Sequence, residues 1–196
     1  MKKILSVLFI TLTTFTTNLF AEDNQSIKRI FEGKNSAKIT IITYESLTCG
    51  HCADFHKNVY PELKKNFIDK GLVKIEFRHF PLDVAAFNAS KIGQCNNDGD
   101  PEVLNILYSG QKKWARGKTP DEATIYLKKF LEDESVNIDF EKCLKNKAIE
   151  DFVLNDRIEG VKKFKVNATP TIIINDKKFE KALNYKNLKK YLEKLI

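Results

Sequence analysis

Two stretches in the first half of the chain have the hydrophobic pattern of neighbouring β-strands. Residues 38–44 are mostly apolar and β-branched, and residues 73–77 alternate between apolar and polar side chains. Between them, from Cys49 to about Asp69, apolar residues recur every four positions, which predicts a helix. Pro61 lies inside that helix and is expected to kink it. We therefore predict a right-handed crossover that joins two parallel strands through a helix.

A long segment with helical patterns follows, from about residue 83 to residue 164. Its helices are expected over residues 82–92, from Pro101, from Thr119, over residues 137–144 and over residues 149–164. No repeat, low-complexity stretch or Gly/Ser-rich linker interrupts the segment. We therefore predict a helical insertion within a single domain.

The C-terminal part of the chain predicts two further strands and a helix. Residues 171–174 form an apolar, β-branched run typical of a buried strand, and residues 177–180 are expected to return beside it after a turn at Asn175 and Asp176. Apolar residues up to Leu195 then have the spacing of an amphipathic helix. The order is β-α-β, helical insertion, β-β-α, which predicts an α/β fold with helices on both faces of a sheet.

The N-terminus has the pattern of a secretory signal. Lys2 and Lys3 precede a short apolar run, and the sequence becomes abruptly polar after Ala21. A membrane anchor is the alternative, but the candidate span, residues 4–20, holds five threonines, a serine and an asparagine. We expect cleavage after Ala21, export to the periplasm and a mature domain over residues 22–196.

The net charge and the cysteine content reduce the number of function classes that the sequence allows. The net charge of +7 falls to +5 without Lys2 and Lys3, and the remaining lysines are scattered along the chain. Because nucleic-acid binding requires a clustered basic patch, we expect no nucleic-acid partner. Four cysteines in an exported chain suggest disulfide chemistry.

Cys49 and Cys52 form a Cys-x-x-Cys pair between the first predicted strand and its helix. This position makes Cys49 the expected first residue of the helix, where backbone N–H groups and the helix dipole favour the thiolate. His51 adds a positive charge if it is protonated, and Gly50 completes the motif. Cys52, one turn further in, is expected to be buried and to act as the resolving thiol.

Other uses of this pair fit the sequence less well. A zinc site needs four ligands, usually from two close pairs, and no second pair is present. Covalent haem needs a histidine directly after the second cysteine, where Ala53 stands. We expect no metal and no cofactor. A non-catalytic metal- or peptide-binding protein that uses the cysteines as ligands is the alternative from a different class.

Pro170 lies just before the buried strand, within the stretch Ala168-Thr169-Pro170-Thr171. A proline at a strand start is a weak signal alone. Together with the Cys-x-x-Cys pair it is stronger, because both are expected at the same end of adjacent strands.

The sequence resembles the DsbA family of bacterial periplasmic oxidoreductases. The resemblance rests on three stretches, residues 48–56, residues 77–82 and residues 168–171. It implies a thioredoxin fold with a helical insertion, Cys49 as the nucleophile, Cys52 as the resolving thiol and a cis bond before Pro170. It also implies that Thr169 offers its backbone to an extended substrate, and that a DsbB-like membrane partner reoxidises the enzyme.

Two positions depart from this family's pattern. Gly50-His51 is the dipeptide of protein disulfide isomerase, which predicts a less extreme reduction potential. The buried acid that the family often has six residues before the first cysteine is replaced by Thr43. Glu45 lies on the same strand face and is a possible proton acceptor for Cys52, unless it is simply exposed at the strand end.

The remaining cysteines and histidines are expected to have mainly structural roles. Cys95 and Cys143 fall in the helical insertion and are interpreted as a structural disulfide, with two buried free thiols as the alternative. His56, one turn beyond Cys52, could modulate it, but its position is more typical of a surface histidine. His79 is expected to end a strand.

The sequence therefore predicts a monomeric oxidase that donates the Cys49–Cys52 disulfide to unfolded or newly exported cysteine-containing proteins. An isomerase or a reductase is the alternative within the same class. A dimeric isomerase of this kind needs an added dimerisation domain, and only about 16 residues lie between Ala21 and the first predicted strand.

Overall fold

The structure, a computed structural model, describes residues 26–196. The expected signal segment and its cleavage after Ala21 lie outside the described residues. Residues 26–196 form a five-stranded sheet with the strand order β1-β3-β2-β4-β5. Its strands are Ile30–Glu32 (β1), Ile39–Glu45 (β2), Val73–His79 (β3), Thr171–Ile174 (β4) and Lys177–Lys178 (β5).

The pairing of the central strands agrees with the predicted crossover. β2 and β3 are parallel, and β4 is antiparallel to β2. β5 is antiparallel to β4, as expected, but spans two residues where four were predicted. The sequence prediction missed β1, which pairs antiparallel with β3 at the sheet edge. β1 is three residues long, which is too short to show an alternating pattern.

Helices cover both faces of the sheet. They are Gly50–Asn58 (α1), Tyr60–Leu63 (α2), Val84–Gln94 (α3), Glu102–Ser109 (α4), Gln111–Trp114 (α5), Pro120–Asp133 (α6), Phe140–Lys145 (α7), Lys147–Phe164 (α8) and Tyr185–Leu192 (α9). Helices α3 to α8 lie between β3 and β4, in the segment where the insertion was expected. No helix within residues 26–196 is long and apolar enough to cross a membrane.

The predicted helix from Cys49 to Asp69 is divided into three pieces. It is interrupted at Val59, and a π-helical turn, Lys64–Ile68, follows α2. Pro61 lies in the first turn of α2, where its missing N–H removes no helical hydrogen bond. The break therefore falls two residues before the proline.

Several helix ends differ by a few residues from their predicted positions. α3 begins at Val84, where Asp83 accepts a hydrogen bond from the Ala86 N–H as its cap. α9 ends at Leu192, so the prediction that Leu195 continues its apolar face is wrong, and that side chain is 40% exposed.

The core has a larger part and a smaller part, on opposite sides of the sheet. Ile41 and Ile75 belong to the larger cluster, which also includes Phe55 of α1 and the fully buried Trp114 of the insertion. Tyr44 belongs to the smaller one. The larger cluster joins α1 to the insertion and so supports the segment that contains Cys49 and Cys52.

Candidate active site

Cys49 lies at the junction of β2 and α1. It is the N-cap of α1, with an extended backbone (φ −79°, ψ 119°), so the prediction that it is the first helical residue is wrong by one position. Its carbonyl oxygen accepts hydrogen bonds from the N–H groups of Cys52 at 3.1 Å and Ala53 at 3.2 Å. The Cys49 side chain therefore lies at the positive end of the helix, as the chemistry requires.

The loop before β4 faces Cys49 across the sheet edge. The Thr169–Pro170 peptide bond is cis, as the family resemblance implied. The Cys49 thiol donates a hydrogen bond to the Thr169 carbonyl oxygen at 3.4 Å. Thr171 Oγ1 donates to the Ala168 carbonyl oxygen at 2.7 Å and closes the loop. The main chain of Thr169 is thus beside the sulfur that a substrate would attack.

The two thiols of the motif differ in exposure and acidity. Both are free; Cys49 is partly exposed and Cys52 is buried. The pKa of Cys49 is lowered from 9.0 to about 5. The hydrogen bond from the Cys52 thiol contributes most, followed by the side chain of Thr169 and the N–H groups of Cys52 and His51. The Thr169 carbonyl opposes this effect, since it accepts a hydrogen bond that a thiolate cannot donate. Burial raises the pKa of Cys52 above its usual range, and its hydrogen bond to Cys49 and the charge of Glu45 add to the shift.

Glu45 is buried at the end of β2, so the alternative in which it is exposed is wrong. Its Oε2 lies 2.7 Å from His56 Nε2, and the two side chains are 4% and 5% exposed. The expectation that His56 is a surface histidine is also wrong. The Tyr108 ring from α4 stacks on the His56 imidazole at 3.9 Å and covers it. The spacing of residues along α1 could not predict this contact, because α4 is distant in the sequence.

Gln111 is a functional candidate that sequence reasoning missed. Its Nε2 donates hydrogen bonds to the carbonyl oxygens of Leu47 at 2.8 Å and Cys49 at 2.9 Å. These contacts attach the insertion to the loop that contains Cys49. A single glutamine in a helical segment gives no sequence signal for such a contact. A second unforeseen contact is the hydrogen bond that Thr48 Oγ1 donates to Asp83 Oδ2 at 2.7 Å.

Two cavities flank α1. A cleft of about 540 Å³ lies beside Pro170 and is lined by His51, Phe55 and Tyr185 among others. A larger cavity of about 860 Å³ is lined by residues of α1, α2, α4 and α5, including His56 and Tyr108. The exposed His51 therefore borders the first cleft, and the buried His56 borders the second cavity.

The remaining predicted residues lie elsewhere in the structure. Cys95 and Cys143 are joined in a disulfide between the end of α3 and α7, with their Cα atoms 5.6 Å apart. His79 ends β3, and its Nε2 lies 3.2 Å from Gln94 Oε1. Neither feature contributes a side chain to the Cys49 site.

Cys49 is stabilised as a thiolate and faces a cis-proline, and a second, buried thiol lies one turn further in. Such a pair of thiols can form a disulfide and pass it on. Together with the sheet and the insertion, this site defines the class as thiol-disulfide oxidoreductase of the DsbA type. A family model described as thioredoxin matches residues 25–194, and the chain belongs to that family.

Individual relatives agree with this assignment. The chain is 28% identical to Wolbachia pipientis alpha-DsbA1, with a TM-score of 0.76 over 85% of this chain and 90% of that one. It is 27% identical to disulfide bond formation protein D of Bacillus subtilis over 172 residues, which cover 83% of this chain and 74% of that protein. A Rickettsia conorii protein provisionally named as a protein-disulfide oxidoreductase is 32% identical over 85 residues. That match covers 42% of this chain and 31% of the relative, so the chain spans about a third of its length.

Proposed function

We propose that the protein is a periplasmic oxidase that donates the Cys49–Cys52 disulfide to newly exported proteins. One observation supports this most strongly: Cys49 is partly exposed and its pKa is about 5, so it is a thiolate at neutral pH in the reduced state. A stabilised thiolate is a good leaving group and favours the reduced enzyme. A disulfide that contains Cys49 is therefore readily passed to a client.

The proposed reaction begins when a client thiolate attacks Cys49 Sγ. Cys52 leaves, and a mixed disulfide joins the client to Cys49. A second client thiol then attacks the client sulfur, which forms the client disulfide and releases Cys49 as a thiolate. Thr169 pairs main chain to main chain with the extended client, beside Pro170, which allows many client sequences to bind. His51 and Cys52 place N–H groups at the start of α1 near the nucleophile, and Gly50 is the first residue of that helix.

The proposed partners follow from the family resemblance. A DsbB-like membrane protein is proposed to reoxidise the dithiol, and the clients are unfolded or newly exported proteins with free cysteines. The protein is proposed to act in the periplasm as a monomer after cleavage following Ala21. N-terminal sequencing of protein isolated from a periplasmic fraction tests the location and the cleavage site together.

A refolding assay with reduced, unfolded ribonuclease tests the oxidase. The oxidised protein should restore ribonuclease activity in stoichiometric amounts, and Cys49→Ser should abolish this. Cys52→Ser, mixed with ribonuclease that carries scrambled disulfides, should attack one of them and accumulate a mixed disulfide at Cys49, because no resolving thiol is present to release it. No disulfide transfer by the wild-type protein would contradict the proposal.

The same-class alternative has some support from Gly50-His51, the dipeptide of protein disulfide isomerase. An isomerase would restore activity to ribonuclease with scrambled disulfides, and an oxidase would do so poorly. Thiol titration with metal analysis tests the metal-binding alternative, since an oxidase has two reactive thiols after reduction and no bound metal.

A further inference from the structure

Disulfide donation requires a proton at a buried atom. When a client sulfur bonds to Cys49, the Cys49–Cys52 bond breaks and Cys52 Sγ leaves with the electron pair. Cys52 is fully buried, so its sulfur is poorly stable as an anion and must take up one proton. Reoxidation requires that Cys52 lose this proton again. A proton path to solvent is therefore needed in both half-reactions.

Glu45 cannot provide that path alone. Cys52 and His56 are four residues apart in α1, so they lie on one face of that helix, and the charge of Glu45 raises the pKa of Cys52. Glu45 is nevertheless buried at the end of β2. Its Oε2 meets His56 Nε2 at 2.7 Å, so the histidine is the next group along the way from Cys52.

His56 connects Glu45 to the larger cavity. The residue lines this cavity of about 860 Å³, which is large enough for many water molecules. The exposed side chains of Lys57 and Lys112 line the same cavity, so it reaches the surface. Within residues 26–196, His56 Nδ1 is buried and has no protein hydrogen-bond partner. Because a buried ring nitrogen without a partner is costly, we infer that a water molecule of the adjoining cavity satisfies it.

The His56 ring is held in a fixed orientation. It stacks on Tyr108 at 3.9 Å with an angle of 20° between the rings, and the Phe77 ring lies 5.6 Å away. These contacts fix the imidazole with one nitrogen on a carboxylate and the other unpaired. An imidazole held in this way can accept a proton at one nitrogen and donate one from the other.

We propose that His56 carries protons between Glu45 and cavity water, and that it thereby controls how fast Cys52 leaves or attacks. On donation, His56 Nδ1 takes a proton that solvent supplies through cavity water, His56 Nε2 passes its own proton to the Glu45 carboxylate, and Glu45 passes that proton to Cys52 Sγ. Reoxidation runs the path in reverse and restores the original tautomer. His56 acts through Glu45 and does not touch the client. The inference rests on the proposed function for the direction of disulfide transfer.

The two tyrosine side chains beside the His56 ring stay neutral across the pH range of the experiment. Burial raises the pKa of both Tyr60 and Tyr108, so both stay protonated between pH 5 and pH 9. The groups that face His56 or line its cavity are Glu45 on β2, Cys52, Asp54 and Lys57 on α1, Tyr60 on α2, Tyr108 on α4, and Lys112 and Lys113 on α5.

The experiment measures the step in which Cys52 attacks. The full chain is prepared as a mixed disulfide between Cys49 and glutathione, and glutathione release is followed by acid quench from pH 5 to pH 9. His56→Gln keeps a hydrogen-bond donor toward Glu45 but cannot pass a proton. We expect release to slow about tenfold or more and to lose its wild-type pH profile. The rate of Cys49 alkylation by iodoacetamide should stay unchanged.

His79→Gln is the matched control. His79 is also a buried histidine and lies in register with Glu45 on the neighbouring strand, but its Nε2 meets the side-chain amide of Gln94 and not the Glu45 carboxylate. This variant should release glutathione at the wild-type rate. Glu45→Gln should slow release at least as much as His56→Gln, and the double variant should be no slower than Glu45→Gln alone. That pattern places both residues on one path.

Three results would overturn the proposal. These are a wild-type rate and pH profile in His56→Gln, an equal slowing in His79→Gln, or further slowing when His56→Gln is added to Glu45→Gln. If His56→Gln does not fold, His56→Ala with added imidazole replaces it: restored release supports the relay and unchanged slow release contradicts it. Glutathione release needs no client, so a failure of the oxidase proposal would appear separately in the ribonuclease assay.

Discussion

The low pKa of Cys49 predicts that the stability of the reduced protein rises with pH relative to that of the oxidised protein. The pKa is about 5 in the folded state and 9.0 for an ordinary cysteine. Between these values the unfolded reduced chain binds one more proton than the folded one, so the free energy of unfolding increases with pH. The slope is at most about 1.36 kcal/mol per pH unit. The stabilisation is complete above the unfolded pKa and is lost as the pH falls through the folded pKa.

The magnitude at pH 7 follows from the same values. Two pH units separate pH 7 from a folded pKa of about 5, which gives about 2.7 kcal/mol before screening. Cys49 is partly exposed, so solvent screening should reduce the gain to roughly 1.4 kcal/mol. The short disulfide loop of the oxidised form restrains its unfolded chain by an amount that does not depend on pH. The slope with pH therefore isolates the thiolate.

Urea unfolding of both redox forms at pH 4, 5, 6, 7 and 8 measures this difference. Other ionisable groups, such as Glu76 and His79, are present in both forms and cancel to first order. Cys49→Ser under reducing conditions is the control, and it should lose the additional slope. The quantity to follow is the free energy of unfolding of the reduced form minus that of the oxidised form. A value that stays constant from pH 5 to pH 8, or that falls as the pH rises, would refute the reasoning.

Three further predictions concern single contacts. Gln111→Ala should cost about 1–3 kcal/mol of stability and change the pH profile of alkylation at the nucleophilic cysteine, because two carbonyl groups lose their donor. Gln94→Ala removes a comparable amide-to-carbonyl hydrogen bond elsewhere and should leave that profile unchanged. Equal profiles for both variants would contradict a positioning role for Gln111. Pro170→Ala should accumulate client mixed disulfides on a gel without reducing agent, and unchanged turnover would place the binding surface elsewhere. Replacing both Cys95 and Cys143 with alanine should lower the free energy of unfolding by about 2–4 kcal/mol and leave the reduction potential unchanged; a shifted potential would show coupling to the active site.

The predicted parts of the fold share strong local patterns. β2 and β4 are apolar and β-branched over several residues, and the helical insertion has clear periodicity, so their order and type follow from the sequence. β1 is stabilised mainly by pairing with β3 across a large sequence separation. Its three residues show no pattern by themselves. The sequence could therefore predict the central crossover but not the edge strand.

The active-site residues also differ in how far the sequence alone could predict them. The Cys-x-x-Cys pair and Pro170 could be predicted, because each is a residue type with few other uses at a strand end. The buried pair of Glu45 and His56 could be suspected only in part, because its burial depends on Tyr108 and the rest of α4 packing over α1. Gln111 acts through contacts that join the insertion to the active-site loop. No local pattern encodes such a contact.

The equilibrium reduction potential of the Cys49–Cys52 pair tests the central claim most directly. The full chain is equilibrated with a series of glutathione buffers, and the reduced fraction is measured by alkylation and mass spectrometry. The oxidase proposal predicts a potential of roughly −120 to −180 mV, between those of DsbA and protein disulfide isomerase. A potential near that of thioredoxin, about −270 mV, would contradict it and make the protein a reductase.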